Sequence, residues 1–439
     1  MKKFITTIRN IFSIEELRTR ILNTIGFLII FRLGSFVVLP GVDPSLLAEN
    51  QGGGLFGLLD AFLGGAFSRA AIFGLGIMPY ISASIVIQLL TVAVPYFQKL
   101  QKEGDSGRKK ITQITRILTI VITLGQSVAY LSTAVAPEAI VIDRTFFTVS
   151  SMILLTSGTI FCMWIGEKIT EKGIGNGISM LIMIGIIAQF PDSIIKEAFA
   201  KGMSGALLFV LEIIALFFVV MATVLLVQAV RRIPVQYAKQ VVGNKVYGGQ
   251  RQYIPLKVNA SGVMPIIFAQ SLMFLPGLLS GFFADTNDTA ASVVRTFGDI
   301  TSWQYNLVFA VMIILFTFFY TAITINSNQI ADDLKRNGGF VPGVKPGRPT
   351  ADYIDAVLSR ITLPGSIFLA VIAILPAFAN VAGITMEFAY FYGGTSLLIM
   401  VGVILDTLQQ IESYLLMRHY EGMMKSGKVR GRSQNAAVA

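Results

Sequence analysis

Charge is scarce in this sequence: only 14% of its 439 residues are Asp, Glu, Lys or Arg, against about 25% in a typical soluble domain. Cysteine and histidine are nearly missing, with one of each, Cys162 and His419. A lone cysteine allows no disulfide framework and no CxxC metal or redox motif. A lone histidine in a basic tail leaves the usual zinc and haem ligand sets unfilled, so no metal site and no cofactor is expected. An intramembrane protease would need a Ser with a His, paired catalytic Asp residues or a zinc-binding His pair. None is available, so no catalytic residue is assigned and the chain is not expected to be an enzyme.

What fills the space is apolar, 54% of the chain. Runs 70–98, 117–137, 145–166, 173–191, 213–230, 258–284, 300–331, 361–386 and 388–405 contain no Asp, Glu, Lys or Arg, and a tenth, 21–42, is interrupted only by Arg32. About 20 apolar residues cross the roughly 30 Å hydrocarbon core as a helix, because lipid offers the backbone no hydrogen-bond partner. A membrane barrel would instead need short segments of alternating polarity. We therefore expect an all-α integral membrane protein with ten transmembrane helices.

The net charge of +10 is concentrated in alternate loops. One side receives the N-terminal segment 1–20, the loop from Lys99 to Arg116, Lys168 and Lys172, the stretches 231–257 and 326–360, and the tail 416–439. The other side holds only Arg69, Arg144, Lys196, Lys201 and Arg295. The positive-inside rule places the rich side, and both termini, in the cytoplasm. That requires an even number of crossings, in agreement with ten. No small-residue cleavage site follows Leu39-Pro40-Gly41, so the first run reads as an uncleaved helix rather than a secretory signal.

Several segments are more than simple spans. The stretches 231–257 and 326–360 are either connectors or a docking platform for a large cytoplasmic partner, and their length favours docking. Residues 52–70 are glycine-flanked, carry Asp60 and are too short to cross. They form either an interfacial helix or a re-entrant plug in a central cavity. The hexapeptides Gly76-Ile77-Met78-Pro79-Tyr80-Ile81 and Gly262-Val263-Met264-Pro265-Ile266-Ile267 share the pattern Gly-[Ile/Val]-Met-Pro-x-Ile. They open the second helix of each five-helix half from opposite sides, as an inverted repeat predicts. A secondary transporter with broken helices and an inverted repeat is thus a rival reading. Such a carrier usually holds ionisable groups at mid-membrane. Here only Arg32, Glu212 and Asp406 are candidates, and the two acids lie toward helix ends.

Six ordered motifs carry a resemblance. Gly76 to Ser84, Lys102-Glu103-Gly104-Asp105-Ser106-Gly107-Arg108-Lys109-Lys110, Gly173-Ile174-Gly175-Asn176-Gly177-Ile178-Ser179, Pro255-Leu256-Lys257-Val258-Asn259, Phe340-Val341-Pro342-Gly343 and Tyr392-Gly393-Gly394-Thr395-Ser396-Leu397-Leu398-Ile399 occur in order between about residues 15 and 425. Together they resemble the SecY/Sec61-alpha family, bacterial form, the channel subunit of the Sec protein translocase. The resemblance implies two pseudo-symmetric inverted halves, 21–195 (helices 1–5) and 206–415 (helices 6–10), around a central hourglass pore. It also implies an external hinge and a lateral gate between helices 2–3 and 7–8. A pore ring would be formed by Ile77, Ile81, Ile178, Ile182, Ile267 and Ile399. The plug, about 55–66, would present Leu55, Phe56, Leu58, Leu59, Phe62 and Leu63. Partner docking would fall to Arg231, Arg232, Lys345 and Arg348. Lys345 stands where the family typically has arginine, keeping the charge but not the planar fork. Implied partners are the SecE and SecG subunits, the SecA motor ATPase, the ribosome with its nascent chain, signal peptides and membrane lipid, all at the bacterial inner membrane.

Overall fold

A computed structural model describes residues 12–47, 55–133, 135–237, 240–242, 245–247, 251–283 and 299–425. Ten long helices carry the chain back and forth: α1 (Glu15–Gly34), α2 (Met78–Ala93), α3 (Asp105–Thr133), α4 (Arg144–Lys172), α5 (Gly177–Lys201), α6 (Ala206–Gln228), α7 (Met264–Phe283), α8 (Trp303–Thr324), α9 (Arg348–Val381) and α10 (Gly394–Lys425). Seven of these pass a span's length and hydropathy requirement by themselves, and α2 joined to the short helix Pro95–Lys102 makes an eighth. The remaining two are α1, whose first turn carries Glu15 and Glu16, and α7, which opens with the apolar run Met264–Met273.

Helix boundaries follow local chemistry rather than the edges of the apolar runs. Pro79 lies in the first turn of α2, where a missing N–H costs nothing. Pro95 holds Val94 extended, so the chain bends by 97° before Pro95–Lys102. Asp143, Asn176 and Ser302 cap α4, α5 and α8 by accepting from backbone N–H groups of the first turn. The expected span 70–98 is therefore shorter as helix. Its start is pinned in an extended bridge, where Leu39 N donates to Ala70 O at 2.8 Å and Ile72 N donates to Val37 O at 2.8 Å.

The repeated hexapeptide has a backbone explanation. Gly76 has φ +50° and Gly262 φ +64°, each two residues before the Met that begins α2 or α7. Residues with a Cβ disfavour that region, so the same turn is built twice with the same glycine. Chain order brings α2 in from the face opposite the basic loops and α7 in from the basic face. The halves α1–α5 and α6–α10 thus run inverted to each other.

On the basic face the two long loops are more than connectors. β1 (Val230–Tyr237) pairs antiparallel with β4 (Arg251–Lys257), and β5 (Gly339–Phe340), from the second loop, joins the other edge of β1. Between them β2 (Gln240–Val242) and β3 (Lys245–Tyr247) form a second, two-stranded ribbon. Ile233, Val235 and Leu256 are buried against Leu334, Val341, Ile354 and Leu358, a small core outside the helical bundle.

Candidate functional site

Five of the six ring isoleucines meet at the centre of the bundle. Ile77 and Ile81 on the α2 side, Ile182 on α5, Ile267 on α7 and Ile399 on α10 line one cavity with Phe31, Met78, Leu181, Phe62 and Leu63. About 30 Å³ is left there for the centre of a water molecule, room for about two waters. The polar members of the lining are Gln270, Ser271 and Thr395, and among the described residues no ionisable side chain reaches it. Its wall is almost wholly apolar and offers a water few hydrogen-bond partners. Ile178 does not line this cavity: it lies one turn before Ile182 on α5, near Gly166 of α4, in one hydrophobic cluster with Ile77, Ile81, Ile182 and Ile267.

The helix Leu55–Leu63 supplies Phe62 and Leu63 to this cavity. Leu55, Phe56, Leu58 and Leu59 belong to the same helix, but their side chains lie outside the described residues. The helix lies against α5, where Gly185 receives it: a Cβ there would meet the Phe62 carbonyl oxygen at 2.3 Å. Its C-terminal turn is closed partly by the backbone, Gly65 N donating to Asp60 O at 3.0 Å, and partly by side chains from α1 and α5. Gln189 Nε2 donates to Asp60 O at 3.0 Å, and Arg32 Nη1 donates to Gly64 O at 3.0 Å. The Asp60 carboxylate accepts from Ser68 N at 2.9 Å and from Gln189 Nε2 at 3.3 Å.

Beyond the helix, on the face opposite the basic loops, opens a vestibule of about 800 Å³. Arg32, Asp60, Arg69, Gln189, Asp192, Lys196 and Glu387 line it, a polar wall in contrast to the constriction beneath. The Arg32 and Arg69 guanidinium groups both lie over the Phe36 ring, at 5.2 and 4.5 Å.

At the rim of that face, polar groups stitch one edge of the two halves. Lys201 Nζ, at the end of α5, lies 2.9 Å from Glu212 of α6 and 3.6 Å from Glu197, and donates to Gly383 O at 2.8 Å. Glu197 accepts from the Thr385 backbone N–H at 3.0 Å and also from its hydroxyl. Lys196 adds a 2.8 Å pair with Glu387. On the basic face Gly175 N donates to Gln410 of α10 at 2.8 Å. At the other edge, α2 and α7 meet through apolar side chains, Ile81 and Ile85 in one cluster with Met264, Ile267 and Phe268. Sequence reasoning missed this polar seam. Its available signal was the Glu197–Lys201 pair at i,i+4.

An apolar constriction between inverted halves, with a short helix packed against it, fits a channel architecture. A SecY family model matches residues 71–408. The chain belongs to the SecY family. It is 43% identical over 437 residues to the protein translocase subunit SecY of Streptomyces scabiei, covering 96% of this chain and 100% of that one. It is 42% identical over 436 residues to its counterpart from Vibrio cholerae, covering 95% and 96%. Among solved structures, a protein-conducting channel superimposes with a TM-score of 0.62 at 15% identity, covering 96% of this chain and 95% of the other. Sec61 in the canine ribosome–channel complex from the endoplasmic reticulum follows at 0.59 and 16%, with the same coverage. These distant likenesses bear on the fold.

Of the four residues expected to dock partners, two lie on the small sheet and two beside it. Arg231 and Arg232 are exposed on β1, and Lys345 and Arg348 are exposed where the second loop runs into α9. None of the four forms an ion pair with another described residue. The Lys345 loop is braced by the Thr350 hydroxyl, which donates to Lys345 O at 2.8 Å. β5 ties the two loops together, so the four cations share one platform.

Proposed function

We propose that this chain is the channel subunit through which unfolded secretory polypeptides cross the membrane, with hydrophobic segments released sideways into the bilayer between α2–α3 and α7–α8. One observation carries the reading: a constriction made of aliphatic side chains from both halves, with room for about two waters and no ionisable lining among the described residues. Such a throat excludes water and ions when closed, by dewetting. Isoleucine makes no directional bond, so the throat can yield around any passing side chain. Glu, Asp, His or Lys at that level would instead suggest an ion-coupled carrier.

Residues 55–66 serve as the plug. A solved SecY structure whose plug domain stabilises the closed state and maintains a membrane seal supports that role. The chain makes and breaks no bond; the work comes from the SecA motor, the translating ribosome and the membrane potential. SecE and SecG are its membrane partners. The basic platform faces the bacterial cytoplasm with both termini, and Arg231, Arg232, Lys345 and Arg348 contact the motor or the ribosome. A signal peptide leaves laterally because a hydrophobic segment prefers lipid to an aqueous pore.

Crosslinking tests this directly. A secretory precursor arrested midway should crosslink to photoreactive probes at Ile81 and Ile267, and not to one at Ile153, which is exposed on the outer surface of α4. Equal labelling at all three sites, or none at the first two, removes the channel reading.

A further inference from the structure

The plug helix shows two characters. Phe62 and Leu63 turn into the apolar constriction, whereas Asp60 and Gly64 face the polar vestibule. Apolar contacts with the throat are non-directional and would let the helix slide. The vestibule end is fixed by direction-sensitive bonds. Gln189 Nε2 donates to Asp60 O at 3.0 Å and Asp60 Oδ2 at 3.3 Å, Arg32 Nη1 donates to Gly64 O at 3.0 Å, and Gly185 leaves the notch into which the Phe62 carbonyl fits. Arg32 also places a cation at a helix C-terminus, where the backbone dipole is negative.

We propose that Gln189, Gly185 and Arg32 form a latch, positioning residues that set the plug's closed equilibrium without touching the translocating chain. All three belong to α1 and α5, so the latch ties the plug to the first half alone. The bonds border a wide, polar-walled space, so each can be exchanged for water as the plug leaves. A latch of this kind holds by a few hydrogen bonds, enough to seal at rest and weak enough to release. This inference rests on the reading of residues 55–66 as the plug.

The test is ion conductance of the full-length channel in its assembled complex, in planar bilayers. Gln189→Leu keeps the volume and removes both donations, and should raise the resting leak about tenfold, the shift expected from losing a hydrogen bond to a charged partner. Gly185→Ala should act the same way by filling the notch, without altering any polar group. Neither change should add leak in a channel lacking residues 55–66, because there is then no plug to hold. That epistasis separates a latch from general damage to α5. If the deletion leaks but Gln189→Leu and Gly185→Ala are as tight as wild type, the latch is wrong and the plug reading stands. Equal added leak with and without the plug also overturns the latch. A deletion that is itself ion-tight overturns both.

Discussion

An isoleucine at a pore constriction has two opposed tasks, to hold out water and to give way to peptide. Both follow from a side chain that is bulky and makes no hydrogen bond. A lysine at Ile81 or Ile182 would bring a charge into the apolar cavity, where desolvation costs several kcal/mol unless water follows. We therefore expect Ile81→Lys and Ile182→Lys to hydrate the throat and raise resting ion conductance. The same change at Ile178, which packs near Gly166 outside the cavity, should raise it much less. Equal conductance for all three would show that the cavity lining does not form the seal. No single isoleucine is readable as a pore residue from sequence, since aliphatic side chains pack every helix of such a chain. What the sequence offers is the register of the motifs around them. That register brings five of the six residues into one cavity but cannot resolve which turn of α5 faces inward.

Two short elements, the helix Leu55–Leu63 and the small sheet, carry proposals that can be tested. Deleting residues 55–66 should leave the ten helices assembled and produce a steady ion leak; a tight, assembled deletion would give those residues another role. On the opposite face, Lys345→Glu should impair motor-driven export more than insertion of membrane proteins, compared in inverted vesicles, and equal defects would count against a motor contact. The sheet beneath Lys345 was legible only in hindsight. Arg232 and Pro234 are exposed while Ile233 and Val235 are buried, the alternation of a half-buried strand. In a chain dominated by long apolar helices, that eight-residue signal reads as a loop. The turn formers near Gly343 hide β5 in the same way. Helix ends are a similar case. Lack of charge defines a span, but Pro79, Pro95 and Gly76 decide where its helix begins and stops.

At the level of the whole molecule, the two halves are joined unequally. One edge is held by Lys201, Glu197, Glu212, Thr385 and the Gly175–Gln410 bond, the other by apolar packing between α2 and α7. Removing one member of a buried ionic group strands the others. Lys201→Met should therefore destabilise the fold by about 3 kcal/mol, seen as a lower melting temperature in detergent. Adding Glu212→Gln should restore part of that loss, and purely additive effects would mean the residues act independently. This unevenness was invisible in composition. The lysine and both acids lie near helix ends, and only folding brings Glu212 of α6 within 2.9 Å of Lys201.

The greasy edge has a thermodynamic corollary. Where α2 and α7 part inside a bilayer, each surrenders an aliphatic neighbour and gains a lipid tail of similar polarity, so little energy separates shut from ajar. If clients leave sideways as proposed, that departure needs no proton, ion or bond-breaking trigger. Its probability should rise smoothly with the oil–water partition coefficient of the segment in transit, the client itself setting the odds.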